Sequence, residues 1–114
     1  MRRLLLLGLV FAVLTTPACQ KSETDIQADA AADVARSRAE GVRERADVEA
    51  KALDERASSL SAKAETAGGY TGERLDVQAD AAAMEADIVR KQGRLQAESV
   101  EEAASAEAKA VRSR

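Results

Sequence analysis

The chain has 114 residues, no histidine and a single cysteine, Cys19. That thiol is the one side chain whose ordinary chemistry is nucleophilic near neutral pH, because its thiolate attacks an electrophilic carbon and leaves a stable thioether. It has no imidazole with which to form a Cys-His pair, so acyl transfer of the protease type is not expected. One thiol without histidine also supplies no nitrogen and sulfur ligand set for zinc. Twenty Asp and Glu residues remain, but paired carboxylates need a cleft that fixes their separation and shifts one of them by burial. The glycine cluster Gly68-Gly69-Tyr70-Thr71-Gly72 lacks the lysine and the preceding strand of a phosphate-binding loop. The sequence is therefore read as that of a non-enzyme, with no catalytic residue, no metal, no cofactor and no small-molecule substrate. The chemistry left to it is modification of Cys19 itself.

What positions Cys19 is the segment in front of it. Arg2 and Arg3 precede an apolar run from Leu4 to Leu14, and Thr16-Pro17-Ala18 leads into the cysteine. Eleven residues of helix reach about 16 Å, half of the hydrocarbon thickness of a bilayer, so the run is too short to span stably and suits the core of a signal peptide. The two arginines form the positive region that stays on the cytoplasmic side during export. Residues 1–18 are thus expected to be removed, with cleavage between Ala18 and Cys19. Two other readings use the same residues: an uncleaved short anchor, and an ordinary small-residue cleavage site that releases a soluble protein. A soluble exported product would carry one unpaired reactive thiol, whereas lipidation consumes it.

Thr16-Pro17-Ala18-Cys19 resembles the lipobox of bacterial lipoproteins. That resemblance implies diacylation of Cys19 and then cleavage before it, leaving the chain held in a membrane by acyl chains. Ala18 fits the pattern, while Thr16 stands where the family usually has leucine and Pro17 is an unusual second residue. The remainder is similar to small alanine-rich lipoproteins of the Gram-negative envelope and, most loosely, to the murein lipoprotein family. Members of that family are single trimerising helices with a terminal lysine joined to peptidoglycan; this chain has a central glycine break and ends Val111-Arg112-Ser113-Arg114, so attachment to the cell wall is not implied. Gln20 after the cysteine corresponds, in the enterobacterial sorting pattern, to the outer membrane.

Without residues 1–18 the chain has 96 residues with 15 basic and 20 acidic side chains, a net charge of −5. That balance gives no support to nucleic-acid binding, which calls for basic patches and stacking aromatics, or to electrostatic adsorption on anionic lipid. Membrane attachment would rest on the acyl chains, of which two or more are needed for stable anchoring. Only 14 bulky aliphatics follow Cys19, about 15% of those residues, and Tyr70 is the only aromatic among them. A compact single-core globule is not expected. Twenty-four alanines favour helix instead, and long helices of this kind need a partner helix to be stable.

The expected architecture is all-α: a short tether over 19–23, a first amphipathic helix over 24–67, a glycine-rich turn over 68–72 and a second helix over 73–114, folded into an antiparallel hairpin or coiled coil. Thr24 and Gln27 match a capping box. One stripe of the first helix carries Ala39, Val42, Ala46, Ala50, Leu53 and Leu60, and one of the second carries Leu75, Ala82, Ala86, Val89, Gly93 and Val100. A four-residue step from Ala46 to Ala50 breaks the heptad into an eleven-residue spacing, which implies nearly straight helices. Gly68, Gly69 and Gly72 supply the conformations that reverse the chain, with Tyr70 read first as a ring folding over both helix ends and alternatively as a lone exposed contact residue at the tip. Reversal there makes residue i face about 140 minus i, which sets Ala46 against Gly93 and Leu53 against Ala86 and Val89. A second strip, Val77, Ala81, Met84, Ile88 and Leu95, flanks the first and implies that something further packs on it.

Two functions are compatible with this plan. One is a lipid-anchored structural spacer or accessory protein in the periplasm, binding an envelope protein or associating with itself. The other is a largely disordered, alanine-rich polyampholyte similar to stress-protectant proteins of the late-embryogenesis type.

Overall fold

The computed structural model describes residues 22–114 as two helices and no strand. Helix α1 spans Glu23–Ala67 and helix α2 spans Gly69–Arg112; Cys19 and the segment preceding it lie outside the described residues. At 1.5 Å per residue each helix is about 67 Å long. They pack against each other along their length as an antiparallel pair.

Helix α1 takes its cap from Ser22, two residues before the expected Thr24. Ser22 has extended backbone, and its hydroxyl oxygen accepts the amide N–H of Asp25 at 3.2 Å, which satisfies one of the free donors of the first turn. Thr24 instead lies within that turn, its hydroxyl 2.8 Å from that of Ser22. Glu23 and Asp25 add negative charge where the helix dipole favours it.

Chain reversal is tighter than the five-residue turn expected from the glycine cluster. A single residue, Gly68, separates the helices, with φ 62° and ψ 177°, a region open almost exclusively to glycine. Gly69 follows at φ 54°. The Gly68 N–H donates to the Ala64 carbonyl at 3.0 Å, and the Gly68 carbonyl accepts from the Gly72 N–H at 2.9 Å, so one helix ends and the next begins on the same residue. Tyr70 consequently falls in the first turn of α2. Its ring points outward, 75% exposed, and does not cover the helix ends.

Between the helices the seam is made of the smallest side chains. Every fully buried side chain among the described residues is alanine, with Ala39, Ala50, Ala86 and Ala97 at 0% exposure, and Gly72 and Gly93 are buried with them. Ala82 is buried too, whereas Val42, Leu53, Leu60, Leu75, Val89 and Val100 are only half-buried. The division follows from distance. Axes that approach to about 8 Å, the lower end of helix packing, leave room for one carbon from each side at the centre, so larger groups line the margins.

Gly93 marks a point of close approach. A Cβ placed there would stand 2.3 Å from the Ala46 Cβ and 3.8 Å from the Val42 carbonyl oxygen, which is the Ala46–Gly93 pairing that reversal at Tyr70 requires. Gly41, by contrast, has open space where its Cβ would be. In an unconstrained helix either Gly→Ala change gains about 1 kcal/mol. Here the two should diverge: Gly41→Ala should raise the thermal midpoint, and Gly93→Ala should lower it because overpacking costs about 1–3 kcal/mol. Parallel melts followed by circular dichroism would test this, and equal stabilisation by both changes would mean that the helices are not in contact at Gly93.

Candidate functional site: the two sides of the rod

With no enclosed centre among the described residues, the surface of the rod is what can do anything, and its sides differ. One side carries the cross-helix ion pairs. Arg43 donates to Glu101 at 3.0 Å, Arg90 pairs with Asp54, and Arg112 reaches Asp29 at 2.9 Å and Asp25 at 3.5 Å. Arg43 and Asp54 are eleven residues apart on α1, as are Arg90 and Glu101 on α2. Eleven residues make three full turns of a nearly straight helix, so the charged partners return to the same side and form rungs.

Sequence reading finds the apolar stripe but not these rungs, because each partner is an ordinary surface charge until the register is known. The available signal was reciprocal: a cation followed eleven residues later by an acid on one helix, and the same order on the other, which antiparallel packing sets opposite in sign. Within helices, Asp87 meets Arg90 at 3.4 Å and Asp33 meets Arg36 at 3.0 Å.

The electrostatics follow the geometry. Its hydrogen bond to Glu101 holds the Arg43 guanidinium more firmly protonated than usual; desolvation pushes the other way, and the charges of Glu101, Glu98 and Glu40 add to the hydrogen bond. Arg90 is likewise raised, first by its hydrogen bond to Asp54, against desolvation, with the charges of Asp54 and Asp87 assisting. Both stay cationic at any physiological pH. These rungs therefore orient the helices without creating a titrating switch.

The other side exposes more apolar groups, with polar ones such as Arg45, Glu49, Gln92 and Gln96 at its edges. Val34 and Val100 line a groove of about 520 Å³ with Ala30, Ala31, Ala103 and Ala104, edged by Arg38 and Glu107. Val42 and Val89 line a smaller one around Gly93. On the back of α2, Tyr70, Val77, Met84, Ile88 and Leu95 are 55–75% exposed. Tyr70 and Val77 border a hollow with Glu73, Arg74 and Gln78, all from α2.

Among the described residues no group of three or more His, Cys, Asp or Glu side chains is arranged to hold a metal ion, and no helix is long and apolar enough to cross a membrane. Of the residues singled out in the sequence, the turn glycines and the seam residues come together at the tip and along the interface. Cys19 and Ala18 lie outside the described residues.

If the rungs fix the alignment of the helices, Arg43→Glu should place an acid beside Glu101, Glu98 and Glu40 and lower the melting midpoint by a few degrees. Adding Glu101→Arg should restore most of that loss. The difference should shrink in about 1 M salt, where the screening length falls to about 3 Å; a double variant no better than the single one would mean that the pair does not couple the helices. No protein-family model, curated protein or solved structure matches this chain.

Proposed function

We propose that the chain is a lipid-anchored, non-enzymatic spacer or adaptor of a bacterial envelope, exported through residues 1–18, acylated on Cys19 and facing the periplasm, with the outer membrane as its site. The observation that carries this reading is the distance between Cys19 and the folded rod. Ser22 caps α1, so three residues separate the acylation site from the start of a stiff element. At the same end Arg112 of α2 pairs with Asp25 and Asp29 of α1. A lipid on Cys19 would thus hold the closed base of the hairpin at the membrane surface and carry the Gly68 tip about 67 Å away from it.

Physical requirements of a spacer are met by the same features. Each helix supports the other over some twelve turns, which isolated alanine-rich helices cannot do unaided. An acidic net charge keeps the rod off anionic headgroups, leaving the acyl chains as its hold on the membrane. Contact with other envelope components would fall to the sides and the tip, where apolar groups are exposed.

Replacing the thiol tests the reading. Cys19→Ser should abolish incorporation of a radiolabelled or clickable fatty acid and move the protein from the membrane to the soluble fraction or leave it as an unprocessed precursor. Labelling that survives the substitution would overturn the lipoprotein assignment.

A further inference from the structure

The back of α2 has a symmetry that the seam does not use. Its exposed apolar residues are Tyr70, Val77, Met84, Ile88 and Leu95, with Ala81 exposed among them. Ordered along the chain, these six are separated by 7, 4, 3, 4 and 7 residues. The spacing reads the same in both directions about a midpoint between positions 82 and 83. The two charged residues that interrupt the strip, Arg74 and Lys91, are related by the same midpoint.

A face whose pattern is unchanged on reversal is what a two-fold interface needs, since each residue i must meet a residue j whose own partner is i. We propose that the occupant of this face is a second copy of the chain, packed antiparallel through α2, with residue i of one copy opposite 165 minus i of the other. Tyr70 then meets Leu95, Val77 meets Ile88, and Ala81 meets Met84, each pair twice. The spacings of seven, four and three are those of a coiled-coil seam, on the opposite side of α2 from the alanine seam that binds α1.

Orientation follows from size and charge. Antiparallel pairing sets small Ala81 against long Met84, whereas parallel pairing sets Ala81 against itself and Tyr70 against itself, leaving a gap and a crowded contact on one strip. Flanking charges agree. In the antiparallel arrangement Glu73 faces Arg94 of the second copy twice, which offsets two Asp80–Asp87 approaches. A parallel pair brings Asp80 beside Glu85 twice and gains no attraction in return. Arg74 and Lys91 oppose cations in either case and limit the affinity.

The strip is about 38 Å long and one helix wide, a footprint of roughly 400 Å² on each copy, which belongs with weak, reversible interfaces. The two basal ends project in opposite directions and stand about 90 Å apart. The dimer does not rest on the lipoprotein reading.

Thiol trapping suits a weak complex. In a Cys19→Ser background, which removes any dependence on lipidation, Val77→Cys and Ile88→Cys would be made as separate full-length proteins and oxidised singly or mixed. The mixture should yield at least about five times more covalent dimer than either protein alone, because only residues 77 and 88 of different copies come within disulfide reach. Met84→Lys in both partners should remove most of that product while helicity is retained, and Val48→Lys on α1 should not. Equal yields from single and mixed samples, no covalent dimer in any sample, or cross-linking indifferent to Met84→Lys would each overturn the proposal and give the face to another partner.

Discussion

Close approach of two backbones is the condition on which this molecule depends. A chain with 14 bulky aliphatics after Cys19 cannot gather them into one interior, so it gains contact by bringing peptide groups and β-carbons near to each other over a long line. Dispersion from each atom pair is about 0.1–0.2 kcal/mol, and only a long seam of many such pairs holds a hairpin together. Alanine suits this twice over, as the best helix former and as the largest side chain the gap admits. Glycine at position 93 goes further, giving up helix propensity so that Ala46 can occupy the space.

That economy explains why the fold was largely legible in the sequence. Periodic alanines placed both helices, the glycine cluster placed the reversal, and the reversal alone brought Ala46 to Gly93. What was not legible lies where several residues of similar type compete. Ser22 and Thr24 are both fit to cap a helix, and only the path of the chain before Glu23 selects the first. Valines and leucines on the stripe were indistinguishable from alanines by period. Distance between the axes decides that Leu53 and Leu60 lie at the margin while Ala50 and Ala64 sit at the centre. Tyr70 escaped for a related reason: with the turn completed at Gly68, it belongs to α2 and faces outward.

The candidate site was less visible than the fold, and its chemistry explains why. Cys19 stands out because a lone thiol behind an apolar run has few uses. A docking face has no such signature, since alanine, valine and methionine serve the interior and the exterior alike. The strip on the back of α2 was detectable as an excess of apolar width over what one partner helix covers. Its exposure, 55% to 75% for the five large residues, needed the position of α1 to be known.

Alanine seams carry a further problem, which the remaining features address. A line of near-identical small groups matches itself again after a shift of one turn, so packing alone specifies register weakly. Three constraints act against slippage here. The one-residue connection at Gly68 allows no slack, so any shift would have to unwind a turn at the tip. The Gly93 notch accepts Ala46, and displacements that carry it onto Val42, Arg43 or Glu49 set a larger side chain there. The rungs at Arg43–Glu101 and Arg90–Asp54 add little stability as half-exposed pairs, yet they separate in any slipped alignment. Surface charge and a missing methyl group thus supply the specificity that the apolar seam lacks. The charges do so on one side of the rod and the notch does so within the seam, which leaves the back of α2 free of that duty and available for contact with another molecule.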